Sequence, residues 1–142
     1  MHKDCGSNNI RIGDVFLVEF HGEQNVQNGL RPAVVFQNNI GNTHSPNVVV
    51  LPLTSSIKKA NMPTHVYVSS EETGLIRDSL VLCENPVCIS KEKLGTFLLR
   101  LPEKYIAQIA VASLLASSAI SFVEPTVLLT TWQKSLKLNS VA

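Results

Sequence analysis

Arg31-Pro32-Ala33-Val34-Val35-Phe36-Gln37-Asn38-Asn39-Ile40-Gly41-Asn42-Thr43-His44-Ser45-Pro46-Asn47-Val48-Val49-Val50-Leu51-Pro52-Leu53-Thr54 carries two apolar runs held apart by turn formers. Pro32 opens the first run, where a missing N–H does least harm to a strand. Ala33, Val34, Val35 and Phe36 continue it as far as Gln37. The second run, 48–53, has no polar alternation, which is the pattern of a strand covered on both faces. Between the runs, Asn38-Asn39-Ile40-Gly41-Asn42 and Ser45-Pro46-Asn47 are expected to be turns.

Outward from this stretch the same punctuation repeats. Residues 14–20 (Asp-Val-Phe-Leu-Val-Glu-Phe) follow Gly13 and are rich in β-branched and aromatic types, so they form a strand. Residues 65–68, entered through Pro63, and 79–83 are further strands, and 94–101 is a sixth. Helical signals come late. Pro102 and Glu103 open a pattern that runs to about Ile120, with an acid where it suits the helix dipole. Many short strands with one closing helix predict a β-rich α+β domain, a small barrel or sandwich. Residues 1–9 are expected to form a flexible tail, 10–120 the domain, and 121–142 an extension with room for a short helix around Trp132, Lys134 and Lys137.

Composition narrows the function. The 142 residues fit one domain, and 44% hydrophobic with 16% charged residues is globular rather than disordered. Twelve Lys+Arg against eleven Asp+Glu give a net charge of +1, which excludes a protein that holds nucleic acid or membrane by bulk charge. The charge is unevenly placed, however. Residues 24–70 contain no Asp or Glu but do contain Arg31, Lys58 and Lys59. Three cysteines do not make a secreted disulfide framework, and the polar N-terminus lacks a signal core, so a reducing cytoplasm is expected. Residues 105–123 hold 19 positions without a charge, but Gln108, Ser113, Ser117, Ser118 and Ser121 make a poor lipid surface. A buried or interface helix is expected there, not a membrane span.

Several side chains invite chemistry. Arg31 joins a polar loop to a strand and is locked by Pro32. It is either a surface ion-pair residue or a rigid fork for phosphate. Thr54 ends the apolar strand; it either caps a short helical turn through Ile57 or helps form an anion site. Lys58 and Lys59 are a solvated face or contacts for neighbouring phosphates. Asp78 and Ser79 position substrate or cap the turn into a strand, and the amides of Asn38, Asn39 and Asn85 either read base edges or shape turns. Of the histidines, His21 in its loop is the better acid–base candidate, and His65 suits a structural role. Cys83 and Cys88, with no second pair, do not make a metal site.

Five blocks fall in an order and spacing similar to the MazF/PemK-type toxin endoribonucleases. They are Ile12-Gly13-Asp14-Val15-Phe16; Gly29-Leu30-Arg31-Pro32-Ala33-Val34-Val35; Gln37-Asn38-Asn39-Ile40-Gly41-Asn42 with Ser45-Pro46; Leu53-Thr54-Ser55-Ser56-Ile57 with Pro63-Thr64-His65-Val66; and Gly74-Leu75 with Arg77-Asp78-Ser79. The resemblance spans about 10–120. It implies a small SH3-like barrel of the CcdB/PemK toxin type with a C-terminal helix. It also implies a sequence-selective endoribonuclease that needs no metal or cofactor, acts on single-stranded RNA as a homodimer, and is silenced by a cognate antitoxin. By the same resemblance Arg31 and Thr54 are the catalytic pair. Substrate binding then falls to Gly29 and Ser55 beside them, to Lys58, Asn38, Asn39, Asp78, Ser79 and Asn85, and to a loop glutamine that is Gln24 or Gln27. The chain departs from the family pattern in that loop and at Cys83-Glu84-Asn85-Pro86-Val87, where the family's glutamine and arginine are missing. A gyrase-binding toxin of the CcdB kind and a catalytically silent RNA- or partner-binding module are the alternatives.

Overall fold

The computed structural model describes residues 9–22 and 29–141, with side chains as far as residue 138. Nearly all of the expected N-terminal tail, together with Gln24 and Gln27, therefore lies outside the described residues. Seven strands are described: β1 Asp14–Phe20, β2 Gly29–Val35, β3 Asn47–Thr54, β4 His65–Val68, β5 Ser79–Leu82, β6 Val87–Ser90 and β7 Leu94–Arg100. The helices are α1 Asn39–His44, α2 Ser70–Thr73, α3 Glu103–Ala116 and α4 Pro125–Val141. All pairings are antiparallel.

The topology makes a barrel with a wing. β7 pairs with β1, β1 with β2, β2 with β3, and β3 with β6. A single 3-10 turn, Lys91–Lys93, leads from β6 into β7. Inside lie Phe16, Val18, Phe20, Ala33, Val35, Val48, Val50, Val87 and Ile89, all buried. The alternation of side chains along each strand sends Val15, Val34, Leu51 and Leu53 to the opposite face. There they meet Tyr105, Ile109 and Ala112 of α3. The end of β3 carries on to β5, and β5 to β4, which forms the wing. The β-rich α+β expectation is met. β3 is buried on both faces as its sequence requires, since barrel interior and helix cover opposite sides.

Two glycines set close approaches. Gly13 has φ +94°, and a Cβ there would stand 2.4 Å from Ile106 Cδ1 on α3. A Cβ on Gly95 would stand 2.6 Å from the Leu17 carbonyl oxygen, where β1 and β7 shift register. Beside Gly13 the buried Asp14 carboxylate accepts from Arg100 Nε at 2.7 Å and from the Arg11 N–H at 2.9 Å, tying the barrel's first turn to β7.

Four sequence expectations change. Residues 39–44 are a helix rather than a turn. Asn38 caps it by accepting from the Gly41 N–H at 2.9 Å. Val87–Ser90 is an additional strand that sequence patterning passed over. The late helix ends at Ala116, and Ser118 at φ +61° turns the chain into a short 3-10 segment, Ala119–Phe122. The extension forms a 17-residue helix, longer than the short one expected, and leaves Leu129, Trp132 and Leu136 exposed. Among the described residues no helix is long and apolar enough to cross a membrane.

Candidate active site

β2 and β3 pair with Ala33 across from Pro52. The same register, carried two residues on, sets Arg31 across from Thr54. β3 in turn pairs Thr54 with Leu80 of β5, and β5 pairs Leu80 with Tyr67 and Leu82 with His65 of β4. Directly opposed residues of an antiparallel pair share a face. Arg31, Thr54 and Leu80 therefore form one cross-strand row, and Pro52, Leu82 and His65 the next. These two rows floor an open groove of about 330 Å³, whose rim carries Ser56, Lys58, Lys59 and Glu84.

The chain after β3 shapes one wall. No helix follows Thr54. Its Oγ1 accepts from the Ser56 N–H at 3.2 Å, a local turn that fixes the hydroxyl at the strand end. Hydrogen-bonded turns then carry the chain through Lys58 and Lys59 to β4, with Met62 N–H donating to the Lys59 carbonyl at 3.2 Å. His65 ties this wall to the opposite one. Its Nδ1 lies 2.9 Å from the Lys59 carbonyl oxygen and its Nε2 2.7 Å from Glu84 Oε2. The imidazole is only 5% exposed. Both ring nitrogens face acceptors.

The groove thus gathers Arg31, Thr54, Lys58, Lys59 and His65 from among the residues singled out in the sequence. Gly29 opens β2 at φ +112°, and exposed Ser55 follows Thr54 on the chain; neither lines the groove. Asn85 stands beside Glu84 and donates its N–H to the Leu82 carbonyl at 3.2 Å.

Four other expected substrate contacts are placed elsewhere. Asn38 caps α1. Asn39 is buried, and its Oδ1 accepts from the Ile12 N–H at 2.8 Å and from Asn42 Nδ2 at 2.9 Å. Asp78 Oδ1 accepts from the N–H and hydroxyl of Ser70, at 2.8 and 2.9 Å. Those bonds and one from Tyr67 hold its carboxyl below the ordinary carboxylate range, and the same contact raises the Tyr67 hydroxyl. Ser79 is buried and donates to the Arg77 carbonyl at 3.0 Å. Beside that cluster Glu72 is lowered by Lys104 and Tyr105, which both donate to it.

Sequence reasoning passed over the pairing of Glu84 with His65. The two are 19 positions apart, and only the β4–β5 pairing brings them together. His21 lies at the end of β1 beside Glu19, with 4.0 Å between Nε2 and Oε2, and does not line the groove. Burial pushes the Cys83 thiol up to about 11, so it is no nucleophile at neutral pH. No cluster of three metal-ligating side chains occurs among the described residues.

A protein-family model described as the PemK-like, MazF-like toxin of type II toxin–antitoxin systems matches residues 11–115. The chain belongs to this family. Two curated MazF-type relatives agree. Endoribonuclease MazF of Staphylococcus epidermidis is 38% identical over 101 residues, covering 70% of this chain and 84% of the relative. Endoribonuclease EndoA of Bacillus subtilis (strain 168) is 33% identical over 116 residues, covering 80% of this chain and 98% of the relative. Among solved structures, an endoribonuclease in complex with its cognate antitoxin, from a mycobacterial species, superposes with a TM-score of 0.65. It is 23% identical and covers 76% of this chain and 94% of that one. MazF of Deinococcus radiodurans gives 0.65 at 19% identity, covering 76% and 96%. Both share the fold described above.

Proposed function

We propose that this toxin endoribonuclease cuts single-stranded RNA, in a sequence-selective way and without a metal, by attack of the RNA's own 2′-OH on the adjacent phosphorus. The observation that carries the reading is the row that brings Arg31 and Thr54 together over one groove. The reaction needs the 2′ oxygen, the phosphorus and the leaving 5′ oxygen in line, which is an orientation task. Charge grows on the non-bridging oxygens, and a guanidinium can meet two of them with parallel N–H bonds. The Thr54 oxygen already accepts from Ser56, so its proton is available to donate to the phosphate. Lys58 and Lys59 hold flanking phosphates at the rim. The products are a 2′,3′-cyclic phosphate and a 5′-OH. In-line attack needs a flexible backbone, and base reading needs unstacked edges, so a single strand is the substrate. Asn85, which follows Glu84 on the chain, is the amide we assign to base reading; Asn38, Asn39, Asp78 and Ser79 support the fold.

The toxin works in the cytoplasm, where a cognate antitoxin lays an acidic segment over the acid-free stretch 24–70. Exposed Val111 and Leu115 on α3 and Phe122 beyond it support a homodimer. Residues 10–120 carry the nuclease and 121–142 are an appendage to it.

The test is cleavage of end-labelled RNA with EDTA present. The expected outcome is a cyclic phosphate end, and no product when the scissile nucleotide is 2′-deoxy. Undiminished cutting of the deoxy substrate overturns the mechanism.

A further inference from the structure

α4 is a helix with little to lean on. It lies against α1, yet from Pro125 to Leu138 every side chain is exposed except Ser135, which is half-buried. A helix of 17 residues draws most of its stability from a packed face rather than from propensity. Propensity is poor here, since Thr126, Val127, Thr130 and Thr131 are weak helix formers. The missing contact must come from outside this copy of the chain.

The exposed apolar side chains are ordered. Leu129, Trp132 and Leu136 follow one another at spacings of three and four and fall within about 60° of arc. They are 60%, 57% and 51% exposed. Lys134 and Lys137 are turned from Trp132 by about 160° and 140°, so no charge interrupts the stripe. The hydroxyls beside it are satisfied within the helix, Thr130 by the Thr126 carbonyl at 2.9 Å and Ser135 by the Trp132 carbonyl at 2.6 Å. Such spacing is the seam of two helices packed side by side.

Charge identifies the occupant. Glu124 stands just before the helix, and both lysines lie in its second half. A matching surface is an uncharged apolar seam whose ends carry the opposite order of charge. α4 running the other way meets both conditions. Antiparallel pairing sets Leu129 of one copy against Trp132 of the other, and Pro125 against Leu136. It lays the acidic end of each helix along the basic end of the other and opposes the two helix dipoles. A parallel pair would crowd four lysines at one end. RNA fits less well, because the lysines and Trp132 lie on different sides of the helix.

We propose that α4 is an assembly helix, which pairs antiparallel with α4 of a second copy of this chain. The surface lies beyond residues 11–115, which the family model matches, and apart from the α3 side chains assigned above to the homodimer. α1 joins the end of β2 to the start of β3, whereas Arg31 and Thr54 lie towards the opposite ends of those strands. About 20 Å of strand therefore separates α1 from the groove, and pairing through α4 leaves the groove open.

Trp132 is the only tryptophan, so its fluorescence reports on the seam directly. The experiment measures acrylamide quenching of the full chain from about 0.1 to 100 μM. Quenching should fall about threefold or more as copies pair, by mass action. Leu136→Asp keeps the tryptophan but charges the seam. It should stay fully quenchable at every concentration while cleaving RNA at the parent rate. Thr130→Ala, off the stripe, should behave like the parent. Direction is read by disulfide formation in a Cys5→Ser, Cys88→Ser background. A Leu129→Cys chain mixed with a Trp132→Cys chain should form a mixed disulfide. Leu136→Cys alone should not cross-link, since antiparallel helices hold those positions about 16 Å apart. The proposal is overturned if Trp132 is quenched alike at all concentrations, if its protection survives Leu136→Asp, if protection comes only on adding RNA, or if Leu136→Cys cross-links to itself.

Discussion

Arg31 and Thr54 lie 23 positions apart in the sequence and opposite one another in the sheet, because β2 and β3 pair with Ala33 across from Pro52. Pro32 and Pro52 sit beside them and limit the backbone there. Exposed Leu30 points the other way, as strand alternation requires. A planar cation and a hydroxyl are thus held side by side by the β2–β3 pairing, while turns supply the lysines.

Substitutions at this pair should separate charge from geometry. Arg31→Ala should lower single-turnover cleavage by about 100- to 1,000-fold, the usual loss for one donor to a developing oxyanion. Arg31→Lys should recover little of it, since an ammonium cannot span two oxygens. Thr54→Val should behave like the alanine variant, and Thr54→Ser should stay within about tenfold of the parent, because the hydroxyl is what matters. Thermal melting should change little in all four. A fully active Arg31→Lys would argue against a bidentate role.

Asn39 tests whether α1 reads RNA or supports the barrel. Its buried amide oxygen serves the Ile12 N–H and Asn42. Asn39→Ala takes the acceptor from the part-buried Ile12 N–H and one of two from Asn42 Nδ2, which keeps the Gln37 carbonyl at 2.8 Å, and should cost about 1 to 2 kcal/mol in urea unfolding. The bases at which the folded fraction cuts should not change. A shifted cleavage pattern with unchanged stability would restore Asn39 as a base reader.

Gly13 meets the end of the Ile106 side chain on α3. Gly13→Ala adds a Cβ 2.4 Å from Ile106 Cδ1 in a left-handed backbone conformation. The combined strain and overpacking should cost roughly 2 to 3 kcal/mol. In an Ile106→Ala background about half of that penalty should vanish, as a double-mutant cycle by urea unfolding would measure.

How far the fold could be read from the sequence depended on whether local pattern and tertiary need agreed. Residues 14–20 and 48–53 are strands in both, because β-branched runs bounded by Gly or Pro suit few alternatives. Residues 38–42 are turn formers by propensity, yet buried bonds from Asn39 and Asn42 hold them as a helix. Val87–Ser90 is too short to show a period, and becomes a strand only because β3 offers it an edge. Arg31 and Thr54 stand in recognisable local motifs. His65 and Glu84 do not, since their contact depends on the β4–β5 register.

Acid below the ordinary carboxylate range should loosen the wing. Asp78 is lowered by Ser70 and Tyr67, and Glu72 by Lys104 and Tyr105. A carboxylate with a lowered folded pKa binds fewer protons in the native state. Its stabilisation is complete above the ordinary carboxylate range of about pH 4 and is lost as pH falls through the lowered folded values. Asp78→Asn should therefore be less stable than the parent at pH 7, and the gap should close as pH falls below about 4. Urea midpoints from pH 7 downward would measure it. A gap that stayed constant would mean that the Asp78 bonds do not depend on its charge.

The even charge total makes one more demand. The net charge is +1, but the groove gathers Arg31, Lys58 and Lys59. A compact site with three cations neutralises few phosphates. On a single strand each phosphate contact contributes about −0.7 to the slope of log affinity against log salt, so about −2 is expected here. Binding of the uncleavable 2′-deoxy RNA between 50 and 300 mM salt would give the slope. Lys58→Ala and Lys59→Ala should each flatten it by less than one unit and weaken all sequences alike. A slope of −5 or steeper would place RNA along a far longer cationic track than this groove provides.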